Sequence, residues 1–210
     1  MKEVKDEVPV PAQEKGVKFD TEYAITTPTG HDARRLFSDA TYRLLDVNRW
    51  DKLCGELSAV FRLTDSEGNA VDRLAQPGDH FRINIPAPGT VTGSGYDWVR
   101  IEALVDNRDQ HAAAESVTLR VRPASNPVNK DQEDTAHFFK DDATSSFTVQ
   151  RDGNRVTAGV HSRNEVPNTD AAKVVDKVRN AIVALGAMAG LSAPQWKSLV
   201  KGLLEPPEGL

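Results

Sequence analysis

Apolar and polar residues alternate with a period of two in six separate stretches of the chain. These are Leu57, Ala59, Phe61, Leu63; Phe81, Ile83, Ile85; Val99, Ile101, Ala103, Val105; Val117, Leu119, Val121; Phe147, Val149; and Val156, Ala158, Val160. Successive side chains of a strand point to opposite faces, so each stretch predicts a strand with one dry and one wet face. The residues in between, among them Arg62, Arg82, Asn84, Arg100, Glu102, Arg120, Arg122 and Gln150, are polar. An antiparallel sheet with one solvated face accepts that pattern, whereas a parallel sheet covered on both faces does not. A further alternating run, Phe19 to Thr27, precedes them and ends at Pro28-Thr29-Gly30, which brings the predicted strands to seven. Asp152-Gly153 between the last two runs predicts a tight hairpin.

Elsewhere the spacing is helical. Ala33, Leu36, Phe37, Ala40, Leu44 and Val47 recur every three or four residues and share one helix face. Asn48 is placed to cap a second, short helix carrying Trp50 and Leu53. The longest amphipathic pattern runs from Asp170 to Ala189, with Val174, Val175, Val178, Ile182, Leu185 and Met188 on one side and Lys173, Asp176, Lys177 and Arg179 on the other. Asn168 and Thr169 are candidate caps for it. Ser192-Ala193-Pro194-Gln195 has the form of a capping box and opens a last helix with Trp196, Leu199, Val200 and Leu203 at i, i+3, i+4 and i+7.

The order strand, two short helices, six strands, long amphipathic helix resembles the helix-grip fold of the START/Bet v 1-like (SRPBCC) superfamily. A tryptophan-bearing second helix, Asp46-Val47-Asn48-Arg49-Trp50, adds to the likeness, which covers most of residues 19–189. The resemblance implies an α+β fold: a curved seven-stranded antiparallel sheet wrapped around the long C-terminal helix, with the last short helix as an addition. It also implies a cavity between the sheet and that helix, receiving an apolar or amphipathic small molecule. Trp50, Trp98, His137, Phe138, Arg163, Glu165, Val178 and Ile182 are the residues expected to line or face that cavity. Packing points the same way. Aromatics are only 6% of the chain, so a sheet curling round one helix must fill its interior with large side chains, collapse, or hold a ligand.

Length and charge then set limits. A chain of 210 residues fits one domain, here 17–204, between tails 1–16 and 205–210 that are charged and rich in proline. A formal net charge of -5 argues against a nucleic-acid partner. Met1 is followed by charged residues rather than an apolar leader, and no run of 18 apolar residues occurs, so neither secretion nor membrane insertion is expected. One cysteine, Cys54, cannot form an internal disulfide and suits a cytoplasmic location.

Candidate chemistry is sparse. The five histidines, His31, His80, His111, His137 and His161, show no ligand spacing, no Gly-x-Ser-x-Gly elbow occurs, and no metal or cofactor is expected. The segment 85–98, with its prolines and glycines, reads either as a cavity mouth or as a shaped turn that Trp98 partly covers. The connection 123–143 is long enough to be a lid. Within it His137 reads as a ligand contact or base, or as a packing residue beside Phe138 and Phe139. Arg163 and Glu165 read as recognition groups for a polar ligand head, or as partners of each other or of strand neighbours. The leading functional reading is a binding protein without catalysis. The alternative is an interaction module whose last helix, through Trp196, Leu199 and Leu203, docks a partner or a second copy. An enzyme using the same cavity requires His137 or Glu165 to meet a second polar group there.

Overall fold

The computed structural model describes residues 9–55, 59–85, 91–129, 134–169, 176, 180, 183 and 193–208. Seven strands follow one another as β1 (Val17–Thr26), β2 (Val60–Thr64), β3 (His80–Asn84), β4 (Asp97–Asn107), β5 (Ala114–Pro123), β6 (Thr144–Asp152) and β7 (Arg155–Glu165). They form one sheet in the order β1-β7-β6-β5-β4-β3-β2, every pairing antiparallel. Consecutive strands are therefore neighbours except at β1, which closes onto β7. The β6–β7 hairpin turns on Gly153-Asn154, with Asp152 opposite Arg155 and Gly153 at φ +55°, a backbone state glycine adopts without strain.

Helix α1 (Gly30–Leu45) starts where Thr29 accepts the Asp32 N–H on its hydroxyl, and it buries Ala33, Phe37, Ala40 and Leu44 as its periodicity requires. A 3-10 turn (Val47–Arg49) leads into α2 (Trp50–Cys54). Asn48 does not cap α2. Its amide bridges backbone instead, donating to the Val71 carbonyl at 2.8 Å and accepting the Leu63 N–H at 2.8 Å, which ties the turn to the outer edge of β2. Edge backbone groups need partners wherever no further strand supplies them, and this use outcompetes the cap.

The dry face of the sheet carries Phe61, Phe81, Ile101, Val117, Leu119, Phe147, Val149, Val156, Ala158 and Val160, all at most 2% exposed. They share one core with α1, α2 and the C-terminal helix α3 (Ala193–Leu204). Trp50 sits at its centre, its ring 4.6 Å from Phe147, 5.5 Å from Phe61 and 5.8 Å from Phe81. The apolar stripe of α3 is spent inside the chain. Leu199, Val200, Leu203 and Leu204 are buried, and the ring of Trp196 meets Phe147 at 5.6 Å. This corrects the expectation that the stripe is available to a partner. Asp176, Asn180 and Val183 are helical, within the stretch where the long helix is predicted. Val174, Val178, Ile182 and Leu185, the expected gripping positions, lie outside the described residues, as does Ser192 of the predicted capping box. Gln195 of that box accepts the Ala59 N–H, at 3.1 Å.

Part of the expected N-terminal tail is seated on the domain. The carboxamide oxygen of Asn164 accepts the N–H groups of Glu14 and Lys15, and the Asn164 N–H donates to the Gln13 side chain. At the other end the Tyr23 hydroxyl donates to Glu205 at 3.0 Å. No described helix is long and apolar enough to cross a membrane.

Candidate functional site

Between the dry sheet face and α3 lies a cavity of about 110 Å³. Its walls are aromatic and aliphatic: Phe61, Phe81, Ile83, Val99, Phe147 and Trp196. The polar groups reaching it are few, namely His137, Ser145, Ser162, Glu165 and Gln195. A second space of about 30 Å³ shares His137, Phe139, Ser145 and Glu165 with it.

Glu165 arrives there through an irregularity in β7. Along that strand Val156, Ala158, Val160 and Ser162 face the core, while His161 and Arg163 face the other way. Strict alternation would send Glu165 out with Arg163. Instead Val17 pairs with Glu165 and Phe19 with Ser162, so two residues, Arg163 and Asn164, oppose the single Lys18. Asn164 takes φ 59°, the left-handed conformation that asparagine tolerates better than most residues. This β-bulge turns Glu165 inward. Burial raises its carboxyl to about pKa 7, opposed by a hydrogen bond with Ser162. The Ser162 hydroxyl also lies 3.2 Å from that of Ser145.

The long connection after β5 crosses the cavity as a strap. Trp98 N–H donates to Ala136 O, Ala136 N–H to Ala124 O, and Lys140 N–H to Val166 O, while the Asn168 N–H donates to Phe138 O. The Asn168 side chain adds bonds to the carbonyls of Thr135 and His137, both at 3.1 Å, so this residue anchors the strap from its side chain. Nδ1 of His137 accepts the Phe139 N–H at 3.0 Å, which places the proton of the neutral ring on Nε2. The ring stacks on Phe138 with centroids 4.2 Å apart.

Three of the residues singled out from the sequence, His137, Phe138 and Glu165, thus meet at one cavity. Trp50 stands one layer behind its wall, in contact with Phe61, Phe81 and Phe147. Trp98 is on the opposite face of β4 from the cavity-lining Val99 and donates its indole N–H to Gly93 O, which is the shaped-turn reading of that loop. Arg163 also points away, bonding Asp20 at 2.7 Å. Burial pushes the Asp20 carboxyl up, but Arg163 and His161 together outweigh it and hold the group below its ordinary value. Arg163 and Glu165 are therefore on opposite faces and do not form a pair. Val178 and Ile182 lie outside the described residues.

Sequence reasoning passed over the aromatic wall and the serine pair. Phe61, Phe81 and Phe147 were legible as dry-face positions, but their meeting with Trp196 depends on where α3 packs. Cys54 is a half-buried thiol, raised to about pKa 12 by desolvation and by Asp51, and it takes no part in the cavity. No group of three or more metal-ligating side chains occurs among the described residues.

No family model matches the chain, and no curated protein matches it. Solved structures do. A hypothetical protein, jhp0584, of Helicobacter pylori aligns at TM-score 0.44 and 13% identity over 88% of this chain and 86% of its own. Norcoclaurine synthase of Thalictrum flavum aligns at TM-score 0.40 and 9% identity over 96% and 99%. Major latex-like protein 151 of Panax ginseng aligns at TM-score 0.31 and 14% identity over 83% and 97%. The order β1-β7-β6-β5-β4-β3-β2, all antiparallel, with helices after β1 and again after β7, is a helix-grip α+β arrangement, and this chain has that fold.

Proposed function

We propose that the protein binds a small apolar or amphipathic molecule in the cavity between the sheet, the strap and α3, and that it does so without catalysis. The observation that carries this reading is the composition of the wall. Aromatic and aliphatic side chains make up most of it, with a handful of polar groups gathered at the end formed by Ser145, Ser162, His137 and Glu165. Ligand sites characteristically combine such an apolar lining with a few placed polar atoms. A void of about 110 Å³ suits a compact body, such as one ring or a short chain.

The test is direct. Protein purified without detergent is examined by native mass spectrometry and solvent extraction, and titrated with one-ring probes by calorimetry. Saturable binding that Phe147→Ala or Trp196→Ala weakens supports the reading. Absence of any co-purifying species together with no saturable probe binding overturns it.

One observation favours a second reading, proton transfer to or from the bound molecule: a carboxyl raised to about pKa 7 shares the cavity with His137. Turnover of a bound probe that disappears in Glu165→Gln, with binding retained, would select it over simple binding.

A further inference from the structure

The polar end of the cavity is unequal in charge. Glu165 is the acidic group there, and no lysine or arginine among the described residues lines the space. The elements that line the cavity with Glu165 contribute Phe81 and Ile83 from β3, Val99 from β4, Val121 from β5, Ser145 and Phe147 from β6, and Gln195 and Trp196 from α3. His137 on the strap is the other titratable group among the described lining residues. Its Nδ1 is committed to the Phe139 N–H.

Two features of this arrangement suit one kind of ligand. A carboxylate with no cationic partner among the described lining residues, held in an apolar wall by a backbone bulge, is costly to ionise and regains that cost when a cation is brought to it. The rings of Phe61, Phe81, Phe147 and Trp196 give the apolar body of such a ligand a surface to lie against. An acid ligand would meet the carboxylate as repulsion.

Resting on the binding reading above, we propose that the molecule selected by this cavity is a compact apolar amine. Its ring or chain lies against Phe61, Phe81, Phe147 and Trp196, and its ammonium is bonded by the Glu165 carboxylate. The Ser162 hydroxyl, already within reach of Glu165, orients the carboxylate for that contact. Binding the ammonium requires Glu165 ionised, so the amine displaces the Glu165 proton at mildly acid pH.

The experiment uses the full chain and three probes of one shape: benzylamine, benzyl alcohol and benzoate. Dissociation constants are measured by calorimetry for the wild type and Glu165→Gln. The amine is expected to bind roughly tenfold or more tightly at about pH 8 than at about pH 5.5, following the ionised fraction of Glu165. The alcohol should change little and benzoate should weaken across the same interval. In Glu165→Gln the pH dependence for benzylamine should vanish and its advantage over the alcohol should fall away. If the alcohol binds but the amine has no advantage in the wild type at about pH 8, the amine proposal fails while the cavity reading stands. If none of the three binds, both fail. The wild-type series decides the matter by itself should the variant not fold.

Discussion

Asn164 is where one residue changes what the site can do. Its left-handed backbone supplies the extra residue of the bulge, and its carboxamide fixes Glu14 and Lys15 beside it. Alanine loses those bonds and is strained at a positive φ, whereas glycine loses only the bonds. Asn164→Ala should therefore cost about 2 kcal/mol and Asn164→Gly about 1, read from denaturant midpoints. Equal losses would mean the conformation is not what matters there. Glu165 itself makes stability depend on pH. Its carboxyl keeps a proton up to about pKa 7 in the folded chain, while the unfolded chain releases it near its ordinary value of 4.5. The folded state thus binds more protons between those values, so its contribution to stability falls as pH rises from about 4.5 to about 7 and stays low above that. Glu165→Gln should be indistinguishable from wild type below the lower value and more stable above the upper one, on the order of 1 to 3 kcal/mol. A stability difference that does not vary with pH in thermal melts would refute the buried-acid account.

At the scale of elements, α2 and α3 pack closely against one another behind the cavity. Gly202 faces Leu53 so closely that an added Cβ would stand 2.7 Å from its carbonyl oxygen and 2.9 Å from its Cβ. Helix propensity favours alanine over glycine by about 1 kcal/mol, but overpacking against backbone costs about 1 to 3 kcal/mol, because the carbonyl cannot swing aside as a flexible side chain can. Packing should win. Gly202→Ala is expected to lower the melting temperature by roughly 2 to 6 °C and to shift the Trp196 emission, as α3 is pushed away from α2 and from Phe61 and Phe147. A rise in melting temperature would show that the helices separate without loss.

For the molecule as a whole, the period-two runs were enough to place all seven strands, and Asp152-Gly153 to join the last two, because each signal is local to a few residues. The α1 face was legible for the same reason. What escaped the sequence depends on contacts between distant residues. Period two alone puts Glu165 beside Arg163, and only the pairing of β7 with β1 and with residues 12–15 forces the bulge. Asn48 looks like a cap, yet it is claimed by backbone groups far away in sequence. Trp196 and its stripe read as a docking surface because nothing local says that β1, β7 and both early helices already cover it. That last point leads to a test of the entire chain. Removing residues 193–208 exposes the surfaces that Leu199, Val200, Leu203 and Leu204 cover, each side chain worth about 1.5 to 3 kcal/mol on burial. Four such losses, on the order of 6 to 12 kcal/mol, rival the whole stability of a typical domain, about 5 to 15 kcal/mol. The shortened chain should lose its cooperative unfolding transition and bind an apolar dye indiscriminately, and its β content by circular dichroism should outlast its tertiary signal. A shortened chain that still melts cooperatively near the parent temperature, while changing its association state on a sizing column, would return α3 to the role of a docking helix.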